Sequence, residues 1–376
     1  MSPSIQPPKT TPETPEGSRH AHGATLARLL TRQLSPLAVS AAHWAEILAQ
    51  ARAQQLAGRL AEVTLGTPEA AALDSRLQSQ LRSAGRIANG HQHSMRWELN
   101  RLAAVFCQTG DRPILLKGAA YCAHRLDVAR GRHYGDVDLL VAEDRLPHIE
   151  TALRFAGYAP QKTSAYDQHY YRTWMHEIPP MQHIKRGTSL DVHFRLIPRT
   201  SRVVIDHRPL LDECLPARDA PAFDVLGPAP MLLHSMVHLY TESEFPQGLR
   251  NLFDIHLLLI EFEKEKDFIN HLSMVARQAG LETVLRQTLN WRQRMFGALS
   301  AYATLPTHLA LSRPQRWVAR LIETGLDPEA AQRRSRRRQT ALGLLYLRGH
   351  WLRMPTRLLA GHLWHQARSK WRVNET

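Results

Sequence analysis

Asp136 and Asp138 flank Val137 in the run Gly135-Asp136-Val137-Asp138-Leu139-Leu140-Val141. Read as a strand, this run turns both carboxylates to one face, about 7 Å apart along the chain, and sends Val137 and Leu139 into a core. Two acids side by side repel unless a cation lies between them. An oxygen-only site of this kind suits Mg²⁺ (or Mn²⁺), bound by one or two carboxylates plus substrate phosphates. A third acid lies in Leu190-Asp191-Val192-His193-Phe194-Arg195-Leu196, where Asp191, His193 and Arg195 share one face. If the two strands lie side by side, three aspartates converge, enough for two divalent ions to clamp an in-line phosphoryl displacement. One ion would activate an attacking hydroxyl; the other would hold a triphosphate and stabilise its departing pyrophosphate. His193, beside the third acid, is placed either to contact the acceptor or to sit as a satisfied sheet histidine.

Upstream, Leu115-Leu116-Lys117-Gly118-Ala119 joins a short apolar run to a helical one. Gly118 at such a junction lets backbone N–H groups and a helix N-terminus come close to a phosphate, and Lys117 adds a compact positive charge there.

The elements that must position these residues follow from periodicity. Strand, helix, strand and amphipathic helix succeed one another from Asp111 to Gly157, followed by aromatic, strand-like residues 169–174 (HYYRTW). Residues 181–196 read as a hairpin with Arg186-Gly187-Thr188 as its turn. The pattern predicts an α+β fold, with a small mixed-sheet core at residues 111–200 between helical flanks. Residues 1–24, rich in Pro, Thr and Ser, read as a disordered tail and 25–110 as a helical region. A Pro-rich linker and helical domain occupy 201–310, and a basic helical region 311–376.

These motifs resemble the polymerase-β-like nucleotidyltransferase superfamily. The likeness is strongest to a poorly characterised bacterial branch with Leu-Lys-Gly, an Arg shortly before Asp-x-Asp-Leu-Leu-Val, and Asp-x-His. Here those are Leu116-Lys117-Gly118, Arg132 before Asp136-Val137-Asp138-Leu139-Leu140-Val141, and Asp191-Val192-His193. The resemblance extends through Leu232–Leu239 and Leu249–Ile255, so it covers roughly residues 111–260. It implies Mg²⁺-dependent transfer of a nucleoside monophosphate from a nucleoside triphosphate to a hydroxyl on a protein, a small molecule or RNA. It also implies that Asp136, Asp138 and Asp191 are the metal ligands and catalytic acids, with Asp191 toward the acceptor. Lys117, Gly118 and Arg132 fall on the nucleotide side. Ala119 departs from the pattern, standing where much of the superfamily has Ser or Gly.

Other features read more plainly. His234 and His238 have metal-ligand spacing on a helix but lack a third ligand, so packing explains them better. Asp254 in an apolar helix needs a partner, and an Arg is the natural one. Net charge is +14, and residues 312–376 carry 14 Lys+Arg against 4 Asp+Glu. The run RRSRRRQ (333–339) and the nearby Trp351, Trp364 and Trp371 suit a solvated helix face or contact with an anionic surface. Three scattered cysteines exclude a disulfide framework, and no apolar run is long enough to span a bilayer, which together fit a cytoplasmic protein. The rival to an enzyme is a weak nucleotide binder or scaffold that acts through its basic tail on nucleic acid or an anionic membrane surface.

Overall fold

The computed structural model describes residues 25–161, 164–299, 302 and 311–355. The expected tail at 1–24, Trp364 and Trp371 lie outside them. Helices α1 (Thr25–Leu30), α2 (Ala41–Ala53) and α3 (Ala57–Leu65) pack together, and α3 lies along the 35-residue α4 (Ser75–Thr109). Buried Leu77, Leu81, Ala88, Met95, Leu99, Leu102 and Phe106 recur on α4 at intervals of three, four or seven residues, which makes one apolar stripe. Asp74 caps its start by accepting from the Arg76 and Leu77 amides, and Gly110 at φ 72° ends it.

The central segment supplies β1 (Ile114–Leu115), α5 (Lys117–Ala123), β2 (Asp136–Leu140), α6 (Leu146–Phe155), β3 (Tyr158–Pro160), α7 (Ala165–Trp174), β4 (Met181–His183) and β5 (Ser189–His193). After the short α8 (Arg208–Leu211) come β6 (Cys214–Pro216) and β7 (Asp224–Leu226). The seven strands form one mixed sheet in the order β3-β4-β5-β2-β1-β7-β6, so the fold is α+β as expected. The hairpin read from residues 181–196 is β4–β5, with Met181 opposite Leu190.

Two segments differ from the sequence reading. Residues 169–174 belong to helix α7, not to a strand. Aromatic residues favour strands, but here they make i,i+4 helix pairs: Tyr170 and Trp174 rings lie 5.8 Å apart, and Arg172 donates to Gln168 at 3.1 Å. The Pro-rich stretch after residue 210 contributes β6 and β7, and β7 pairs in parallel with β1. Pro216 is tolerated because β6 is the outermost strand, where a missing N–H breaks no central ladder.

Helices α9 (Pro228–Thr241), α10 (Gly248–Phe262), α11 (Phe268–Gln278), α12 (Glu282–Phe296), α13 (Arg313–Leu326), α14 (Pro328–Gln332) and α15 (Arg336–Arg353) follow the sheet. The apolar core runs without a break from α1 through the sheet to α15. The end of α15 is tied back to the loop after β5: the Arg202 amide donates to Leu352 O at 2.7 Å and Thr200 Oγ1 to Arg353 O at 2.6 Å. In the RRSRRRQ run, Arg333, Arg334, Arg336 and Arg337 are exposed, while Arg338 donates to Gly325 O at 3.1 Å. Among the described residues no helix is long and apolar enough to cross a membrane.

The β4–β5 hairpin is held on α4 by a buried acid. Glu98, 2% exposed, accepts two bonds from Arg186 at 2.7 and 2.9 Å, one from Thr188 at 3.3 Å and one from the Tyr158 hydroxyl. Burial opposes its charge, but the Arg186 and Tyr158 bonds outweigh that and hold its carboxyl below the ordinary value. A depressed carboxyl stabilises the fold above its unfolded pKa and loses that contribution as pH falls through the folded value. Glu98→Gln should therefore cost about 1–3 kcal/mol at pH 7, because the half-buried Arg186 guanidinium loses its charged acceptor. Denaturant melts across pH should show the gap between wild type and variant close below about pH 4; a gap independent of pH contradicts this account.

Candidate active site

Strands β2 and β5 run in parallel, with Asp136 opposite Ser189 and Asp138 opposite Asp191. That register places Asp136, Asp138 and Asp191 on one face, and carboxylate oxygens from all three lie within 4.8 Å of one another. Asp136 is exposed, Asp138 is 3% exposed and Asp191 is half-buried, so the group runs from solvent into the sheet.

Lys117 is the first residue of α5 and has a left-handed backbone, φ 47°. For a residue with a side chain this costs roughly 1–2 kcal/mol. Its Nζ donates to Asp138 Oδ1 at 2.7 Å, and His193 Nε2 meets the same oxygen at 3.1 Å. Burial alone would raise the Asp138 carboxyl, but the Lys117 ammonium and His193 outweigh it and hold it well below the usual carboxylate range. Lys117 shifts in the complementary sense: burial opposes its charge, and Asp138 more than restores it. Asp191 behaves oppositely. Burial, and then the charges of Asp138, Glu177 and Asp136, push its carboxyl up to about 9. Three oxygen donors, one of which ionises at neutral pH only when positive charge is added, fit a divalent cation.

The acids lie in a cleft of about 380 Å³ whose far wall is α9 and α10, through Ser235, His238, Arg250, Asn251 and Asp254. Gly118 and Arg132 also line it. Arg132 donates to Asp254 at 3.0 Å and lies over the Tyr121 and Tyr134 rings, so Asp254 has the Arg partner expected of it. A Cβ on Gly118 would sit 2.4 Å from Arg132 Nη1, so the glycine makes room for a pinned guanidinium. The loop that carries Arg132 is seated by a second close crossing, where a Cβ on Gly131 (φ 65°) would meet Gly58 O at 2.6 Å. Arg250 is differently placed. Its bonds go to the Gln55 and Asn251 side-chain amides, and among the described residues no carboxylate pairs with it. Burial and then Arg132 lower it to about 10. It is the cation in the cleft wall with charge still to be matched.

The cleft thus gathers every candidate named from the sequence: Lys117, Gly118, Arg132, Asp136, Asp138, Asp191 and His193. It also contains residues that sequence reasoning missed. His176 and Glu177 follow α7, the segment read as a strand, so no pattern pointed to them. Arg250 and Arg353 come from helices far along the chain, and Arg353 pairs with Glu242 at 3.2 Å. Ala119 is fully buried and does not line the cleft, so a hydroxyl there would face the core. His234 is buried in α9, and burial followed by Lys117 lowers it to about 3. Burial also holds His238 and His176 well below the ordinary imidazole value. Neither His234 nor His238 joins a metal-ligand group among the described residues.

A family model described as an uncharacterised nucleotidyltransferase matches residues 40–297. No curated protein and no solved structure matches the chain.

The raised Asp191 carboxyl gives a measurable consequence. With its carboxyl pushed up, Asp191 should hold its proton at pH 7 and yield it to a cation, so that Mn²⁺ binding should release about one proton per chain. Calorimetry in buffers of different ionisation heat reads this number. Asp191→Asn should abolish the release, and a wild-type protein that releases none contradicts the geometry.

Proposed function

The chain belongs to the uncharacterised nucleotidyltransferase family, and from that membership we propose that it transfers a nucleoside monophosphate from a nucleoside triphosphate to a hydroxyl acceptor. The observation that carries this reading is the convergence of Asp136, Asp138 and Asp191 on adjacent, in-register strands at the floor of the cleft. These three acids would hold Mg²⁺ or Mn²⁺, which when bound neutralises triphosphate charge and strengthens the attacking oxygen.

The remaining roles belong to the chain itself. Lys117 and His193 fix the Asp138 carboxylate and keep it ionised. Arg250, without a carboxylate of its own, faces the triphosphate, and Arg132 holds the cleft wall in place through Asp254. Asp191, in its ionised state, takes the proton of the acceptor hydroxyl as its oxygen bonds to the α-phosphorus and pyrophosphate leaves on the opposite side.

The test is transfer of label from α-labelled nucleoside triphosphates to a cell lysate, with Mg²⁺ or Mn²⁺ present. Asp136→Ala should reduce transfer to background while the protein stays folded. Arg250→Ala should raise KM for the nucleotide by about 10–100-fold, the loss of one charge-assisted contact. Nucleotide binding without transfer under every condition would leave a sensor or scaffold in place of the enzyme.

A further inference from the structure

Beside the three aspartates lies a second cluster of different chemistry. Residues 176–178 run antiparallel to the end of β5: the Ile178 amide donates to Val192 O at 3.0 Å and the Phe194 amide to His176 O at 2.9 Å. This pairing brings ring nitrogens of His176 and His193 and a carboxylate oxygen of Glu177 within 4.8 Å of one another. His193 is 2% exposed, and Nδ1 of both His193 and His176 is buried without a hydrogen-bond partner. Because the ionised Asp138 only accepts, the proton facing it sits on His193 Nε2. In a neutral ring that turns the Nδ1 lone pair toward Glu177 Oε2, 3.5 Å away, with an acceptor facing an acceptor. A cation between them removes the conflict.

The geometry points to a second metal site, in which His176, Glu177 and His193 bind a first-row divalent ion of the Zn²⁺ or Co²⁺ kind. Two imidazoles and a carboxylate are a nitrogen-rich donor set that such ions take and Mg²⁺ does not favour. A ligating histidine commonly donates its other N–H to a carboxylate, and His193 has Asp138 for that purpose. The ring would therefore join this ion to the acid at the centre of the aspartate group. The inference needs no nucleotide chemistry: the cobalt spectrum tests the histidine cluster and label transfer tests the aspartates, so either can fail alone.

Co²⁺ is the probe, because its visible d–d absorption reports nitrogen ligation. Full-length wild-type protein saturated with Mg²⁺ should still take up one Co²⁺ per chain with a nitrogen-ligand spectrum. The variant Asp136→Asn/Asp191→Asn should keep that spectrum. Adding His176→Gln or Glu177→Gln should weaken Co²⁺ binding by at least about 10-fold in folded protein, as judged by circular dichroism. Absence of the spectrum in the Mg²⁺-saturated wild type overturns the proposal and leaves the histidine cluster a purely structural contact between β5 and residues 176–178. Co²⁺ binding indifferent to both His176→Gln and Glu177→Gln overturns it as well.

Discussion

A carboxylate only 3% exposed must find donors or lose its charge, and Asp138 finds two on a single oxygen, the Lys117 ammonium and the His193 ring N–H. That pair of bonds organises the surrounding structure. It draws Lys117 into a left-handed turn at the start of α5, so the strand–helix junction is shaped by an electrostatic need as well as by chain direction. It orients the His193 ring on β5. Among the described residues no hydrogen bond reaches the other oxygen of Asp138. The uneven ionisation follows from the same cause. Asp138 takes the nearby positive charge, whereas burial and the neighbouring acids push the Asp191 carboxyl up.

The helices around the sheet then act as walls fixed at a few rigid points. Gly118 and Gly131 permit two close approaches that hold Arg132, and Arg132 holds α10 through Asp254. α15 returns from the far end of the chain and bonds to the loop after β5, which brings Arg353 to the cleft. Over its described residues, 311–355, the basic C-terminal region is thus partly an integral wall, and Arg333, Arg334, Arg336 and Arg337 are among its arginines that face solvent.

The acid-bearing strands β2 and β5 were legible because their signal is local. Alternation in residues 136–140 and 189–193 shows which side chains share a face, and a short turn makes the β4–β5 hairpin readable. The parallel pairing of β2 with β5 was a condition the residues could only suggest, since nothing local specifies which strands become neighbours. HYYRTW misled because aromatic content spoke for a strand, whereas the helix depends on contacts four residues apart. The β6–β7 hairpin was hidden by prolines that an edge strand accepts. Arg250 entered the resemblance as part of a longer motif, but its lack of a carboxylate partner is a fact of packing against Gln55 in the turn between α2 and α3. His176 and Glu177 acquire meaning only through their pairing with β5, long after the sequence has stopped giving a pattern.

The most direct measurement of the central claim is anomalous diffraction from crystals grown with Mn²⁺ and a non-hydrolysable nucleoside triphosphate. The account predicts a manganese peak bound jointly by Asp136, Asp138 and Asp191, with Lys117 still on Asp138 Oδ1 and the triphosphate directed toward Arg250. A nucleotide seated in the cleft with no ion shared by those three carboxylates would contradict it.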